Sequence, residues 1–444
     1  MQYVKAYILG GMNKLMNKRQ ILILSVLSIL TATLALCMWA AGLFDTAVPA
    51  GGSEAPVWET VREARPSLNE NIVWENRLGG TGEESLVAAF TYADRILVFG
   101  NTDSTDYDFS AGQGLRGFIA VLDEAGTTQT FYETDRITAV TLHEQGFLLA
   151  LYAPARLRLI DFSLATVSET PLYSTQDERV LDIFPREDGY TVVTAINETD
   201  SGADSLRVVE FDGAFRKLSS RLLARSAKIR YIDAFVYADK TVVAVNFDFG
   251  AVQCMSLIEL AGGNPLYYDI TAEGGYFACD VMPYGGGYAA LILSDGSADI
   301  LTVNANYTAA KRIYLNSAEC TSGRLYAAGD RIYAYVHKEG DLSQLCELNA
   351  NLDYIGIVPE ANTFTAAHAY FMQGNYCNIL CSAPGRTLVV SLGDEKRITS
   401  LRVETTACLW LKTPSAVLIV AEAQAGEDCS GQIGGTDIAV LRLA

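Results

Sequence analysis

An apolar run that stops at a tight turn recurs eight times in the last three quarters of this 444-residue chain. The stops fall at Leu122, Ile160, Phe211, Leu260, Val303, Leu348, Leu392 and Leu443, at successive spacings of 38, 51, 49, 43, 45, 44 and 51 residues. A unit of about 46 residues is one supersecondary element that cannot bury its hydrophobic face alone, so it must stack on further copies of itself. This period restricts the fold more than any single motif in the chain.

Each unit contains four short runs of β character. The first copy, Leu78–Tyr132, opens LGGTGEES, continues through LVAAFTYADRILVFGNTDS and an acidic loop, and ends GFIAVLDEAGTTQTFY. Its later equivalents include FLLALY (147–152), YTVVTAI (190–196), TVVAVNF (241–247), YAALIL (288–293), RIYAYV (331–336), YCNILC (376–381) and AVLIVAE (416–422). Continuous apolar runs of this length, without alternation and with turn residues on both sides, fit strands covered on both faces. The turns that follow six of these stops, among them Asp-Glu-Ala-Gly, Phe-Asp-Gly and Asn-Ala-Asn, are hairpin chemistry. The expectation is an all-β, eight-bladed β-propeller of four-stranded antiparallel blades over residues 71–444, with seven blades as the alternative count.

The eighth copy ends at Leu443-Ala444 without a fourth run. A β-prone segment at the other end, Ile72–Leu78, is the candidate replacement, so Val73 and Trp74 are expected to pair with the strand that holds Asp437 and Val440. Such sharing closes the ring and removes exposed sheet edges.

Ahead of the repeats, Lys5, Lys14, Lys18 and Arg19 precede an uncharged stretch, Ile21–Phe44. About 20 apolar residues suffice for a membrane-crossing helix, and the basic flank stays inside. The domain expectation is a cytoplasmic basic segment (1–20), a transmembrane signal-anchor helix (21–44), a stalk (45–70) with a short helix around Trp58–Arg65, and an extracytoplasmic propeller. Two other treatments of the segment remain open: cleavage near Ala47–Ala50, and lipidation at Cys37, where Leu36 stands in place of a small residue.

Beyond residue 44 the chain holds 29 basic against 52 acidic side chains, a net of −23. That balance argues against nucleic acid and anionic lipid as partners of the soluble part. Its eight cysteines all lie beyond residue 250 and form no disulfide framework. Cys377 and Cys381, on one face of a strand about 13 Å apart, are too far from each other to pair. Cys254, Cys279, Cys346 and Cys408 sit in apolar runs as small core residues, and Cys429 lies in a polar loop.

No residue set carries obvious chemistry. The three histidines, His143, His337 and His368, fall in different copies, which leaves zinc sites and Ser-His-Asp triads without material. Asp103, Asp106 and Asp108 are weak metal candidates: counted from Asp106, a calcium loop would need Gly at its sixth position, which is Ala111. The Gly-rich spots lack the Lys and helix of a phosphate loop. Most tyrosines lie inside strands, and Tyr107, Tyr284 and Tyr376 are the ligand-rim candidates. No cofactor is expected; a quinone-dependent dehydrogenase ring would need a tryptophan-rich blade motif, and only Trp74 and Trp410 fall in the repeats.

LGGTGEES at 78–85 and GGTDIAVLRL at 434–443 resemble a repeat common in exported bacterial β-propeller proteins, whose copies open Gly-Gly-Ser/Thr-Gly-acidic and close Gly-Gly-x-Asp-apolar. The first and last copies match it, and the middle six keep only spacing and apolar runs. The resemblance implies a propeller and export, and no activity. The functional expectation is a monomeric, single-pass, membrane-tethered surface protein that serves as a non-catalytic binding platform for an envelope protein or a cell-wall component. The alternative is a propeller that binds or cleaves extracellular glycan, which convergent carboxylates about 5–10 Å apart at the channel mouth would favour.

Overall fold

The computed structural model describes Val57–Trp58, Arg65–Pro66 and residues 71–443 apart from stretches between strands, of which 359–365 and 425–434 are the longest. The segment expected to cross the membrane, residues 21–44, lies outside the described residues, as does Cys429. Within the described residues there are only strands, and they form eight antiparallel sheets.

The first strands of blades 1 to 8 are Glu84–Tyr92, Ile137–His143, Glu178–Arg186, Lys228–Tyr237, Phe277–Tyr284, Cys320–Ala328, Ala366–Gln373 and Thr405–Lys412. First strands of neighbouring blades touch, so they surround the axis, and the second, third and fourth strands follow outward in chain order. The ring is the eight-bladed propeller expected from the period. Each of the eight stops is the last or next-to-last residue of a third strand or falls one residue beyond it: Leu122 is next to last in Arg116–Asp123, Val303 is last in Ser297–Val303, and Leu260 follows Gln253–Glu259.

Second strands are buried throughout, as their unalternating sequences require. Gly146–Leu151 and Ile96–Thr102 have no accessible position, because a sheet lies against each face. Fourth strands are more open; Thr166–Pro171, and Lys217–Leu223 up to its buried last residue, carry only exposed and half-buried residues on the rim. Eight hydrophobic clusters each fill one seam between neighbouring blades, including the seam between blades 8 and 1. The core is therefore divided into interfaces, and each blade is stabilised by its two neighbours.

Blade 8 is completed from the other end of the chain. Ile72–Leu78 pairs antiparallel with Thr436–Leu443, with Leu78 opposite Ile438, Asn76 opposite Val440 and Trp74 opposite Arg442. Val73 occupies the irregularity between Ile72 and Trp74 and is 49% exposed, so it is Asn76 and not Val73 that faces Val440. The segment expected to be a stalk contributes edge pairing. Val57–Trp58 adds to the outer strand of blade 1, opposite Tyr132 and Phe131, and Arg65–Pro66 adds to the closing strand. Trp58 is thus in a strand where a short helix was expected; residues 59–64 lie outside the described set. These additions cover two outer edges that would otherwise present unpaired amides.

The hairpins between third and fourth strands share one geometry in five blades. Asp123, Asp161, Asp212, Asn304 and Asn349 each accept backbone N–H groups of their own turn on the side-chain oxygen, at 2.8–3.0 Å. Three residues on, the chain takes positive φ at Gly126, Leu164, Phe215, Tyr307 and Leu352. Side chains other than glycine avoid this region at a cost of about 1 kcal/mol. Here the four bulky ones pack into the seam to the preceding blade, which offsets that cost.

Candidate functional site in the central channel

Every first strand carries a bulge one to four residues from its start, at Val87, Thr138, Leu181, Ile232, Cys279, Thr321, His368 and Thr406. A bulge kinks the strand and re-aims the side chains that follow it. Four residues back from each strand end stand Ala88, Ala139, Asp182, Asp233, Asp280, Arg324, Ala369 and Cys408. Blades 3 to 6 therefore place three carboxylates and a guanidinium in a row on the channel-lining strands, and the other four blades place small residues there.

Two of these carboxylates hold the next blade. Asp182 accepts the Tyr231 hydroxyl at 2.7 Å, and Asp280 accepts the Leu325 amide at 2.7 Å and the Val281 amide at 2.9 Å. Asp233 accepts the amide of Ala234, at 2.8 Å. Burial pushes Asp233 up to about 6; repulsion from Asp280 and Asp182 adds to the rise, and the Ala234 amide and Arg324 oppose it. Burial also raises Asp280, against the Leu325 and Val281 amides and Arg324. Tyr231 is held protonated by burial and by the charge of Asp182.

A carboxyl raised in the folded state keeps its proton at a pH where the unfolded chain has lost it. Stability then falls as pH rises, for Asp233 between about 4 and 6. Thermal unfolding between pH 4.5 and 7.5 is expected to show Asp233→Asn losing less stability than the parent, by on the order of 1 kcal/mol after allowance for partial solvent access. Equal slopes for the two proteins would remove Asp233 as the titrating group.

The residues singled out in the sequence stand elsewhere. Asp103, Asp106 and Asp108 lie at the opposite end of the blades from the hairpin turns and clamp the chain where it passes from the closing strand into blade 1. Asp108 accepts the Gly79 amide at 3.0 Å, Asp106 accepts Thr81 N at 2.9 Å, and Asp103 accepts Glu83 N at 2.7 Å. Ser104 Oγ accepts Gly82 N at 2.8 Å and donates to Glu84, which also accepts from Thr102. Burial raises the Glu84 carboxyl against these hydroxyl donors, and the neighbouring charge of Asp437 adds to the rise. Gly79 has no room for a side chain: a Cβ there would lie 2.7 Å from Asp437 Cγ. The acidic and glycine residues of the Gly-Gly-Thr-Gly motif thus do structural work at the ring closure. Among the described residues no group of three or more His, Cys, Asp or Glu side chains is placed to hold a metal ion.

Tyr284 ends the first strand of blade 5 and donates its hydroxyl to Ala350 O in the hairpin of blade 6. Tyr107 and the side chain of Tyr376 lie outside the described residues. Cys254, Cys346, Cys377 and Cys381 are buried, and Cys279 is half-buried; burial pushes the Cys279 and Cys377 thiols up to about 12. The channel row of Asp182, Asp233, Asp280 and Arg324 was not singled out by sequence reasoning. Its signal is there in Leu-Asp-Ile-Phe, Ile-Asp-Ala-Phe and Cys-Asp-Val-Met, which recur at one offset from the strand end.

No protein-family model and no curated protein matches the chain. Solved structures do. The chain is similar to the dihydro-haem d1 dehydrogenase NirN in complex with DHE at 12% identity and a TM-score of 0.51, over 81% of this chain and 82% of that one. It is similar to the Dos1 propeller at 11% identity and a TM-score of 0.51, over 85% and 95% of the two chains. The computationally designed Ika8 protein gives 12% identity and a TM-score of 0.51, over 82% and 98%. At such identities the likeness is one of fold.

Proposed function

We propose that this protein is a membrane-tethered, extracytoplasmic propeller that acts as a non-catalytic binding platform for an envelope protein or a cell-wall component. The tether is the run Ile21–Phe44 with its basic flank, and the ring works as a monomer. The observation that carries the reading is the use made of the channel carboxylates. Asp182 and Asp280 are committed to a hydroxyl and to amides of the scaffold, which suits a rigid wall better than an acid–base pair. An acidic exterior, net −23 beyond residue 44, favours a basic segment on the partner.

One observation favours the second reading, glycan cleavage: Asp233, raised to about 6, has the proton affinity of a general acid near neutral pH. The two readings separate in one experiment. The full chain in detergent is incubated with an envelope extract and with peptidoglycan; captured partners and new reducing ends are both measured, for the parent and for Asp233→Asn. Capture without reducing ends is the expected outcome. Release of reducing ends that disappears in Asp233→Asn would replace the platform with an enzyme.

A further inference from the structure

On the hairpin face, the seam between blades 1 and 2 opens into a cleft of about 960 Å³. Its wall is a pair of stacked rings: Tyr92, which ends the first strand of blade 1, lies on Phe162 of the blade 2 hairpin with centroids 3.7 Å apart and planes at 4°. Tyr92 is 41% exposed and lines the cleft. A ring fixed against another ring has little freedom left to lose when a ligand covers its outer face.

Beside this platform stands Arg95, the first residue of the second strand of blade 1. The residues at the same place in blades 4 and 6 are Lys240 and Arg331, and each is paired with a glutamate of its third strand, Glu259 at 3.0 Å and Glu347. Blade 1 has Val121 at that glutamate's place, opposite Leu97. Asp123, directly opposite Arg95, turns its two oxygens to Thr127 N and Gln129 Nε2 of its own hairpin. Arg95 is left without a partner among the described residues, and so is the carboxylate of Asp94 next to it. Three blades carry a cation at this place, and among the described residues blade 1 is the one whose cation lacks the salt bridge, beside a cleft and an exposed ring.

We propose that this cleft binds a carboxylated saccharide. The flat C–H face of a pyranose covers Tyr92, its carboxylate takes the forked donors of Arg95, and Asp94 accepts from ring hydroxyls. The proposal deepens the platform reading by assigning a ligand class to one surface, and it is independent of the channel row.

The test is calorimetric titration of the full chain in detergent with tetragalacturonate and with its carboxyl-reduced, neutral counterpart. The uronate is expected to bind about tenfold or more tightly than the neutral chain. Arg95→Gln is expected to abolish that preference, and Tyr92→Ala to lose both ligands. Lys240→Gln, the equivalent but paired cation, leaves binding unchanged. Both Arg95 and Tyr92 are exposed, so unchanged thermal unfolding of their variants verifies the fold. Equal affinity for the two probes, no saturable binding up to about 10 mM, or a preference that survives in Arg95→Gln would each overturn the proposal. Failure here with partner capture intact would leave the platform reading standing, and loss of capture with uronate binding intact would do the reverse.

Discussion

Removal of residues 436–444 is expected to unfold the whole ring in a single transition. The deletion takes out the third strand of blade 8, and with it the strand that joins Ile72–Leu78 to the rest of the sheet. Leu78, Ile438, Val440 and Leu441 are fully buried, and they divide between two seam clusters, one shared with blade 1 and one with blade 7. Losing them opens both seams together and bares the edges of two strands. Each fully buried aliphatic side chain contributes about 1.5–3 kcal/mol, so the four together, about 6–12 kcal/mol, are comparable with the whole net stability of an ordinary domain, about 5–15 kcal/mol. Far-ultraviolet circular dichroism against temperature measures the result. A truncated protein that melts like the parent would mean that blades 1 to 7 hold the ring without closure.

The second large effect concerns the place where the closure seam departs from its counterparts. In blades 2, 3, 5 and 6 the positive-φ residue of the outer hairpin carries Leu164, Phe215, Tyr307 or Leu352 into the preceding seam. In blade 1 that residue is Gly126, at φ +81°, and the preceding seam is the one closed by the N-terminal strand. Trp74 of that strand lies over Gly126: a Cβ there would be 2.6 Å from Trp74 Cε3. The indole occupies the space that a hairpin side chain fills elsewhere. Gly126→Ala is therefore expected to cost about 2–4 kcal/mol, from the left-handed backbone and the collision together. Trp74→Ala, which empties the space, should cost about 3–5 kcal/mol. Gly126→Leu in the Trp74→Ala background should recover part of that loss, since the pair then reproduces blades 2 and 6. Denaturant unfolding of Gly126→Leu, Trp74→Ala and the double variant closes the cycle. Additive costs would show that indole and glycine do not share one space.

The architecture was legible in the order of residues because a blade's information is local. Short apolar runs separated by Asp-Glu-Ala-Gly or Asn-Ala-Asn specify strand and hairpin within a few residues, and eight repetitions specify the count. The closure was legible as well, since an eighth copy without a fourth run needs a strand and Ile72–Leu78 was the unclaimed one. Pairing partners were less so. Trp74 sits beside an irregularity, and its register followed from packing against Gly126, 52 residues away in sequence.

The functional surface belongs almost wholly to tertiary structure. Asp103, Asp106 and Asp108 drew notice because acidic residues close in sequence resemble a ligand set, yet their oxygens are consumed by backbone amides of a loop about 25 residues earlier. Asp182, Asp233, Asp280 and Arg324 are 44–51 residues apart and become neighbours only when four blades stand side by side. The cleft of Tyr92, Arg95 and Phe162 likewise draws on two blades. Periodicity along the chain determines what each blade is, because strand and turn preferences act over a few residues. Which side chains meet around the axis and across a seam is decided by the ring, because only its closure fixes the angle at which one blade faces the next.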